Sequence, residues 1–575
     1  MSDNTTRGFA RRLTAYGDND FAQFLRNCFL VARGYGPEAL DRPVIAICDT
    51  GSDFNPCHAT APQLVEAISR GVSMAGGIPM VFPTISVHES FAHPTSMFLR
   101  NLMSMDTEEM LKALPLDAAV LIGGCDKTIP AQLMGAISAN VPTLSVTVGP
   151  MLTGSHKGQR LGACTDCRRL WGEYRAGTIS ENELQAAQSQ LMASHGTCMV
   201  MGTASTMACL AEMLGFMLPG GASIPAVHSE RLRHAEASGR RAVEMARLGG
   251  PKPQEIVTPE SVRNACVALQ ALGGSTNVAI HLAAIVGRAG IRLDLEDLDR
   301  LGNHTPILAD LKPVGRLYMQ DFHAAGGFPA LLRELAKPGL IDTAVTAADG
   351  QSWADVLANW PDWRDPDVIR DFDQPVTGGS AIAVLHGSLV PGRAIIKQAA
   401  MSPELRQHEG PALVFDGLDD LNARIDHPDL DVTPDHVLVL RNAGPVGAPG
   451  MPEAGSIPIP RKLARSGVRD MVRISDARMS GTAYGAVVLH AAPEAALGGP
   501  LALVRDGDRI RLDVEARTLD LLVDKEELDR RRADWVAPAI PSRGYARLFA
   551  TSVQQAELGC DFDFLTAVTQ DEHDE

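Results

Sequence analysis

A short polar turn that follows an apolar run carries the residues that point most clearly to chemistry. The run Ala118–Ile122 is typical of a buried parallel strand, and Gly124, Cys125, Asp126 and Lys127 come soon after it. In open α/β sheets, ligands bind at the turns that leave the carboxyl ends of the strands. A thiolate suits an iron–sulfur cluster, whereas a carboxylate suits magnesium or manganese. The sequence therefore favours a site where two different metals meet one substrate.

Further cysteines lie on turns elsewhere in the chain. Cys57 follows the first predicted strand, and Cys198 precedes a predicted helix. Because strand-end turns converge on one rim of the sheet, Cys57, Cys125 and Cys198 can together hold an iron–sulfur cluster with one iron position open. Each of them alone is more typical of a small buried hydrophobic residue, and only their combination favours a cluster. Cys164 and Cys167 form an isolated C-x-x-C, compatible with a redox pair, a neighbour of the cluster or two surface thiols.

Carboxylates supply the candidates for a hard metal. Glu89, Asp126 and Glu453 are magnesium-ligand candidates, although spacing alone does not join them and a carboxylate is usually a solvated surface charge. Lys127, beside Asp126, is compatible with an ion pair, a base or a carbamylated metal ligand.

Two small polar segments are candidates for substrate contact and catalysis. Ser275, Thr276 and Asn277 open a predicted helix after a pair of glycines, which suits a carboxylate or phosphate but also a simple helix cap. Ser480 and Thr482 lie in a polar loop late in the chain. A serine acts as a base only where metals or a neighbouring donor lower its pKa.

Composition bounds the class of protein. The chain has 575 residues, 45% of them hydrophobic, and a net charge of −17. This charge argues against a nucleic-acid partner and against an anionic membrane surface. No signal peptide and no run of about 18 apolar residues is visible, so we expect a cytoplasmic protein. Its ten cysteines are then expected to be reduced thiols or metal ligands.

The order of apolar segments predicts two domains. Up to about residue 370, short apolar strands alternate with amphipathic helices, which predicts a large, doubly wound, mostly parallel α/β domain. Pro79 places the second predicted strand at a sheet edge or at a strand start. After the polar segment 363–374, period-2 alternation and many glycines and prolines predict a smaller, β-rich, barrel-like domain over residues 375–575.

Several long motifs follow one another along the chain: Ser52–His58, Gly124–Thr128, Met201–Met207, Gly273–Asn277, Pro449–Glu453 and Asp476–Thr482. In this order they resemble the dihydroxy-acid and sugar-acid dehydratase family of iron–sulfur hydro-lyases. Residues 94–97, 100–102 and 561–565 carry a closer likeness to one branch of that family. The chain looks most like this sugar-acid branch, which acts on pentonates and hexonates such as arabinonate, xylonate or gluconate.

The resemblance implies roles for individual residues. It implies a cluster, 2Fe–2S rather than 4Fe–4S, on Cys57, Cys125 and Cys198, although three cysteines are compatible with either type. It implies magnesium on Glu89, Asp126, Glu453 and a carbamylated Lys127, with Ser480 as the catalytic base and Thr482 beside it. It also implies a homodimer or homotetramer that takes a small sugar acid.

Rival functions and departures from the family pattern remain open. Branched-chain dihydroxy-acid dehydratase and phosphogluconate dehydratase share the chemistry, and a non-catalytic iron or redox sensor is the alternative from another class. Cys164 and Cys167 fall outside the family signature, and Phe98-Leu99 stands where an aromatic is expected at the second position. The acidic end, Gln570 to Glu575, stands where a more basic end is expected.

Overall fold

The computed structural model describes residues 7–566, and the first part of the chain is built on a four-stranded parallel sheet. The strand order is β2-β1-β3-β4. Pro79 lies in β2 at the edge of this sheet, where a missing N–H costs no ladder hydrogen bond. The strands are β1 (Val44–Asp49), β2 (Ile78–Pro83), β3 (Ala118–Gly123) and β4 (Thr143–Thr147), followed by a hairpin of β5 (Gly154–His156) and β6 (Gln159–Leu161).

Twenty α-helices surround the sheet and continue into the second part of the chain. They are α1 (Asn19–Ala32), α2 (Ala61–Met74), α3 (Arg100–Ala113), α4 (Thr128–Ala139), α5 (Thr165–Ala176), α6 (Glu181–Leu191), α7 (Thr203–Met213), α8 (Ser229–Leu248), α9 (Pro253–Ile256), α10 (Pro259–Ala271), α11 (Asn277–Gly287), α12 (Leu295–Asn303), α13 (Met319–Ala324), α14 (Gly327–Ala336), α15 (Trp353–Asn359), α16 (Gly417–Arg424), α17 (Arg461–Arg465), α18 (Pro500–Leu503), α19 (Lys525–Asp534) and α20 (Gly544–Ser552). This count covers residues 7–566.

Both faces of the parallel sheet are buried. Ile45 and Ile47 of β1 pack in one core with α2 and α8, whereas Ala46 and Cys48 pack in a second core with α4, α7, α10 and α11. Burial on both faces explains why these strands are continuous apolar runs without alternation. The mixed α/β architecture with a parallel sheet is confirmed, and its doubly wound character stays a prediction.

The second part of the chain forms an eight-stranded, nearly closed barrel. The strand order is β14-β13-β9-β10-β11-β12-β8-β7. The backbone of His386, directly after β7, donates from its N–H to Arg517 O at 2.9 Å and accepts at its carbonyl from Leu519 N at 2.8 Å. These bonds join β7 to β14, the two strands at the ends of the order. The predicted barrel-like architecture is therefore confirmed. Its strands are β7 (Ala383–Leu385), β8 (Ala394–Ile396), β9 (Gln407–Asp416), β10 (Val437–Arg441), β11 (Arg473–Ser475), β12 (Val487–Leu489), β13 (Arg509–Asp513) and β14 (Thr518–Leu521).

The barrel packs its outer face on the helical core of the first part. Ile396 points to the barrel interior, while Ile395 joins the large core formed with the helices. Met479 and Ala483, which flank Ser480, belong to the same large core. The loop between β11 and β12 therefore packs against the helical core of the first part of the chain.

Two expectations remain, one about the acidic C-terminal end and one about the Phe98-Leu99 pair. The acidic segment from Gln570 to Glu575 lies outside the described residues. Phe98 packs its ring against Tyr545 and Phe549 of α20, at centroid distances of 4.9 and 5.1 Å, so the aromatic of the Phe98-Leu99 pair anchors this helix. No helix in residues 7–566 is long and apolar enough to cross a membrane.

Candidate functional site

The turns that follow β1 and β3 bring Cys57 and Cys125 together. His58 links the two turns: its Nε2 accepts from Cys125 N at 2.9 Å, and its Nδ1 lies 2.9 Å from Thr50 Oγ1. Thr50 Oγ1 in turn donates to Ile122 O at 2.7 Å. Burial lowers the pKa of His58 to about 4, so the imidazole is neutral and its Nε2 can accept.

His88 joins these two cysteines, which sequence reasoning did not anticipate. One ligand atom each from Cys57, His88 and Cys125 lies within 4.8 Å of the others, a spacing that can hold a metal ion. A hydrogen bond from Cys125 lowers the pKa of the Cys57 thiol and outweighs the opposing effect of burial. The only sequence signal for His88 is its position next to Glu89.

Cys198 lies on the same side but contacts a different thiol. Its Sγ is 3.5 Å from Sγ of Cys164, the first cysteine of the C-x-x-C. Cys164, Cys167 and Cys198 all pack against one small apolar cluster. The structure thus brings Cys57 and Cys125 into one group and pairs Cys198 with Cys164, while the ligand role of Cys198 stays a prediction.

The three predicted carboxylates converge around the lysine. Oxygen atoms of Glu89, Asp126 and Glu453 lie within 4.8 Å of one another. Lys127 Nζ is fully buried, contacts Asp126 closely, and lies 3.5 Å from Glu89 and 3.6 Å from Glu453. Burial and Arg478 work to lower the pKa of Lys127, but the three carboxylates outweigh them and raise it.

Arg478, absent from the sequence-based set, ties the late loop to the carboxylates. It donates to Glu453 Oε1 at 2.7 Å and to Thr95 Oγ1 at 2.8 Å. Glu89 also accepts from Thr95 Oγ1 at 2.7 Å and from Ser96. Burial acts to raise the pKa of Glu89, but Lys127 and Arg478 hold it well below its ordinary value. Glu89 is therefore ionised.

The polar segment between α10 and α11 lies beneath this site. Asn277 Nδ2 donates to Glu453 Oε1 at 3.2 Å and to Thr203 Oγ1 at 3.3 Å. Ser275 Oγ lies 2.8 Å from Thr203 Oγ1, so its hydroxyl is already used. Among the described residues, Thr276 Oγ1 is buried without a hydrogen-bond partner. The segment is thus more than a helix cap, and its contact with substrate stays a prediction.

Ser480 and Thr482 form a hydrogen-bonded pair on the loop that also carries Arg478. Their hydroxyl oxygens are 2.8 Å apart, and Thr482 N lies 3.4 Å from Ser480 Oγ. Thr165 Oγ1 donates to Thr482 O at 3.2 Å, which links this loop to the helix that follows Cys164. Gly481 allows the close approach, because a Cβ there would lie 2.4 Å from Ser275 Oγ.

The donor chemistry fits the two groups that the resemblance implies. One side offers thiols with an imidazole, which are soft or borderline donors suited to iron. The other side offers three carboxylates, which are suited to magnesium together with substrate oxygens. The residues present therefore fit an iron–sulfur cluster and a magnesium ion side by side.

Comparison with known families identifies the chain. The model of the dihydroxy-acid/6-phosphogluconate dehydratase N-terminal domain matches residues 42–356, and that of the C-terminal domain matches residues 367–560. The chain belongs to this dehydratase family. The predicted class of enzyme, a hydro-lyase, is thereby confirmed.

Individual relatives of the dehydratase family cover nearly the whole chain. A 6-deoxy-6-sulfo-D-gluconate dehydratase of Pseudomonas putida is 48% identical over 534 residues, 92% of each chain. An L-arabonate dehydratase of Azospirillum brasilense is 47% identical over 571 residues, 98% of each chain. A dihydroxy-acid dehydratase of Moorella thermoacetica is 38% identical over 540 residues, 92% of this chain and 97% of its own. The predicted resemblance to the sugar-acid branch is confirmed.

Proposed function

We propose that this dehydratase removes water from C2 and C3 of a sugar acid, an aldonate, and releases a 2-keto-3-deoxy sugar acid. The observation that carries the proposal is the position of the Ser480–Thr482 pair, whose loop also supplies Arg478 to the carboxylates. Relatives named for L-arabonate and sulfogluconate support a sugar acid as the substrate class.

The two groups of donors would each hold one cofactor. Cys57, Cys125 and Cys198 would hold an iron–sulfur cluster; the likeness to the sugar-acid branch favours 2Fe–2S over 4Fe–4S. Glu89, Asp126, Glu453 and a carbamylated Lys127 would hold magnesium. When bound, the cluster supplies a Lewis acid for the C3 hydroxyl, and magnesium stabilises negative charge on the carboxylate and the C2 oxygen.

Ser480 is the proposed base. As an alkoxide it takes the proton from C2, while the C3 hydroxyl leaves and the electron pair of the C2–H bond forms the C2–C3 double bond. The backbone N–H and the hydroxyl of Thr482 lie 3.4 and 2.8 Å from Ser480 Oγ, so both can donate to it and lower its pKa. The enol product then tautomerises, taking a proton at C3.

Buried cations and amides would position the substrate beside this base. Arg478 is fully buried and places positive charge beside the site of an anionic substrate, in a protein of net charge −17. Lys127 is equally buried and adds a second positive charge only while its amine is not carbamylated. In the described chain Thr276 Oγ1 has no partner, so it is free to bind a substrate oxygen, while Asn277 holds Glu453 in place. Lys127 also neutralises the carboxylates before metal binds.

The division of labour between the two parts of the chain belongs to the same proposal. An α/β domain over residues 1–370 carries the thiols, and a barrel-like domain over residues 375–575 brings the serine loop. A cytoplasmic location and a homodimer or homotetramer are also proposed.

A panel of acids tests the proposal. The protein is loaded anaerobically with iron, sulfide and magnesium and offered pentonates, hexonates, 6-phosphogluconate and 2,3-dihydroxyisovalerate, with release of a 2-keto acid as readout. Activity confined to sugar acids is expected. Turnover of 2,3-dihydroxyisovalerate alone would assign a dihydroxy-acid dehydratase, and no keto acid from any substrate with an intact cluster would favour the redox sensor.

A further inference from the structure

The four sulfur atoms at this site fall into two pairs. Cys57 and Cys125 belong to the group whose ligand atoms lie within 4.8 Å. Cys164 Sγ and Cys198 Sγ are 3.5 Å apart, and neither is in a disulfide. The resemblance to the family accounts for three of these thiols and leaves Cys164 without a role.

The distance between Cys164 and Cys198 matches two ligands of one metal. In a tetrahedral site with metal–sulfur bonds of about 2.3 Å, two thiolates lie about 3.8 Å apart. A 2Fe–2S cluster bound by four cysteines takes two thiolates on each iron. The Cys164–Cys198 distance therefore suits two thiolates on one iron, and the group of Cys57 and Cys125, which also contains His88, offers thiolates for the other.

The chain holds Cys164 in place from two directions. Cys164 directly precedes α5, whose first-turn N–H groups favour a thiolate over a thiol. The next residue, Thr165, donates its hydroxyl to Thr482 O at 3.2 Å and so links this segment to the Ser480 loop. Cys164 is partly buried and packs with Cys198 and Cys167 against a small apolar cluster.

We infer that Cys164 is a fourth, displaceable sulfur ligand, which shares one iron with Cys198 in the resting protein and gives way when a substrate hydroxyl binds. This inference rests on the proposed function, because it presumes the cluster. It means that the iron position left open by the three family cysteines is covered by a thiolate until substrate arrives. The link through Thr165 and Thr482 couples that exchange to the loop that carries the base.

Spectroscopy of the loaded protein tests the inference without relying on turnover. We would compare wild type, Cys164→Ala and Cys167→Ala, each loaded anaerobically with ⁵⁷Fe and sulfide, by iron and sulfide content, Mössbauer spectroscopy and EPR of the reduced cluster. Wild type and Cys167→Ala should show all-sulfur coordination at both irons. Cys164→Ala should keep the cluster on its three remaining thiols but show one iron with an oxygen or nitrogen ligand. Addition of the sugar acid should shift the wild-type spectrum towards that of Cys164→Ala.

The outcomes separate the inference from the proposed function. Identical spectra for wild type and Cys164→Ala, or a change confined to Cys167→Ala, would overturn the role of Cys164 and leave the dehydratase proposal intact. A wild-type spectrum that keeps all-sulfur coordination with substrate bound would overturn its displacement. A wild-type protein that takes up no iron and sulfide would overturn the cluster and the inference together.

Discussion

At the scale of single residues, the chemistry depends on how a serine hydroxyl becomes basic. Thr482 offers Ser480 two donors, which favour the alkoxide over the hydroxyl. The buried Arg478, two residues before the serine, pairs with Glu453. Ser189 on α6, by contrast, is exposed and donates its hydroxyl to the backbone carbonyl of Ala186 at 2.9 Å.

Removing the base should abolish most of the activity. We expect Ser480→Ala to lower kcat by about 10²–10⁴-fold, the usual contribution of a positioned base, and Thr482→Val to cause a smaller loss. Steady-state release of 2-keto acid is the measurement, with Ser189→Ala as the matched control. Near-normal turnover by Ser480→Ala, with the cluster intact, would assign the base elsewhere.

The sequence pointed to most of the residues that converge at the site but not to all of their partners. Glu89, Asp126 and Glu453 converge as the resemblance implies, although only Asp126 and Glu453 lie in the long motifs. His88 and Arg478 were missed, since a lone histidine or arginine carries no spacing signal. The contact between Cys198 and Cys164 could not be predicted from the sequence either, because it depends on how the segments around residues 164 and 198 meet in space.

At the scale of elements, the loop between β11 and β12 and the start of α11 interlock. Gly481 approaches Ser275 so closely that a Cβ would lie 2.4 Å from Ser275 Oγ and 2.6 Å from its Cβ. The parallel strands were predictable from apolar runs, and β3 lies where expected. α4, directly after Lys127, was not predicted, because it is buried on all sides and its mostly apolar sequence lacks the polar face of an amphipathic helix.

A methyl group at this contact should push the serine loop away from the carboxylates. We expect Gly481→Ala to reduce kcat/KM at least tenfold and to lower the melting temperature, because overpacking typically costs about 1–3 kcal/mol. Gly378→Ala, where a Cβ would meet nothing within 4 Å, is the matched control. Equal activity and stability for the two variants would contradict the interlock.

Lys397, directly after β8, is an unpaired buried amine in the described chain. Its Nζ has no hydrogen-bond partner, and burial lowers its pKa from 10.5 to about 7. Between pH 7 and 10.5 the amine of Lys397 is protonated in the unfolded chain but neutral in the folded chain. The free energy of unfolding therefore rises with pH in this range. Below pH 7 the amine is charged in both states, and the full energetic cost of burying it remains. Lys397 therefore destabilises the fold at neutral pH.

Replacing this lysine should stabilise the protein most at low pH. We expect Lys397→Met to raise the free energy of unfolding by about 3–5 kcal/mol at pH 7, at about 1.4 kcal/mol per pH unit of displacement, and by little at pH 10. Thermal melting between pH 6 and 10 is the measurement, with the exposed Lys157→Met as control. A gain in unfolding free energy that does not depend on pH would show that the ionisation of Lys397 is not its cause.

At the scale of the whole molecule, the site joins both parts of the chain. Glu89 and Asp126 come from the first part, and Glu453 and Arg478 from the second. Away from the site, Arg175 makes a bidentate pair with Asp426 across the same junction. A ligand that binds the three carboxylates should therefore stabilise the whole chain.

Magnesium removal tests that linkage. Chelation should abolish activity and lower the melting temperature, and magnesium at about a hundred times its Kd should restore about 3 kcal/mol of stability. Glu453→Gln should lose this response, whereas Glu404→Gln, on a short turn away from the site, should keep it. Equal magnesium responses in both variants would place the metal elsewhere.

The central claim is that water leaves from C2 and C3 of a sugar acid, and the most direct test is the reaction in D₂O. The loaded protein is incubated with L-arabinonate and the other pentonates and hexonates, and the products are followed by ¹H and ¹³C NMR. The account predicts a 2-keto-3-deoxy acid with one solvent deuteron at C3. Deuterium at C2 without loss of water, or no product from any acid while cluster and magnesium are bound, would contradict it.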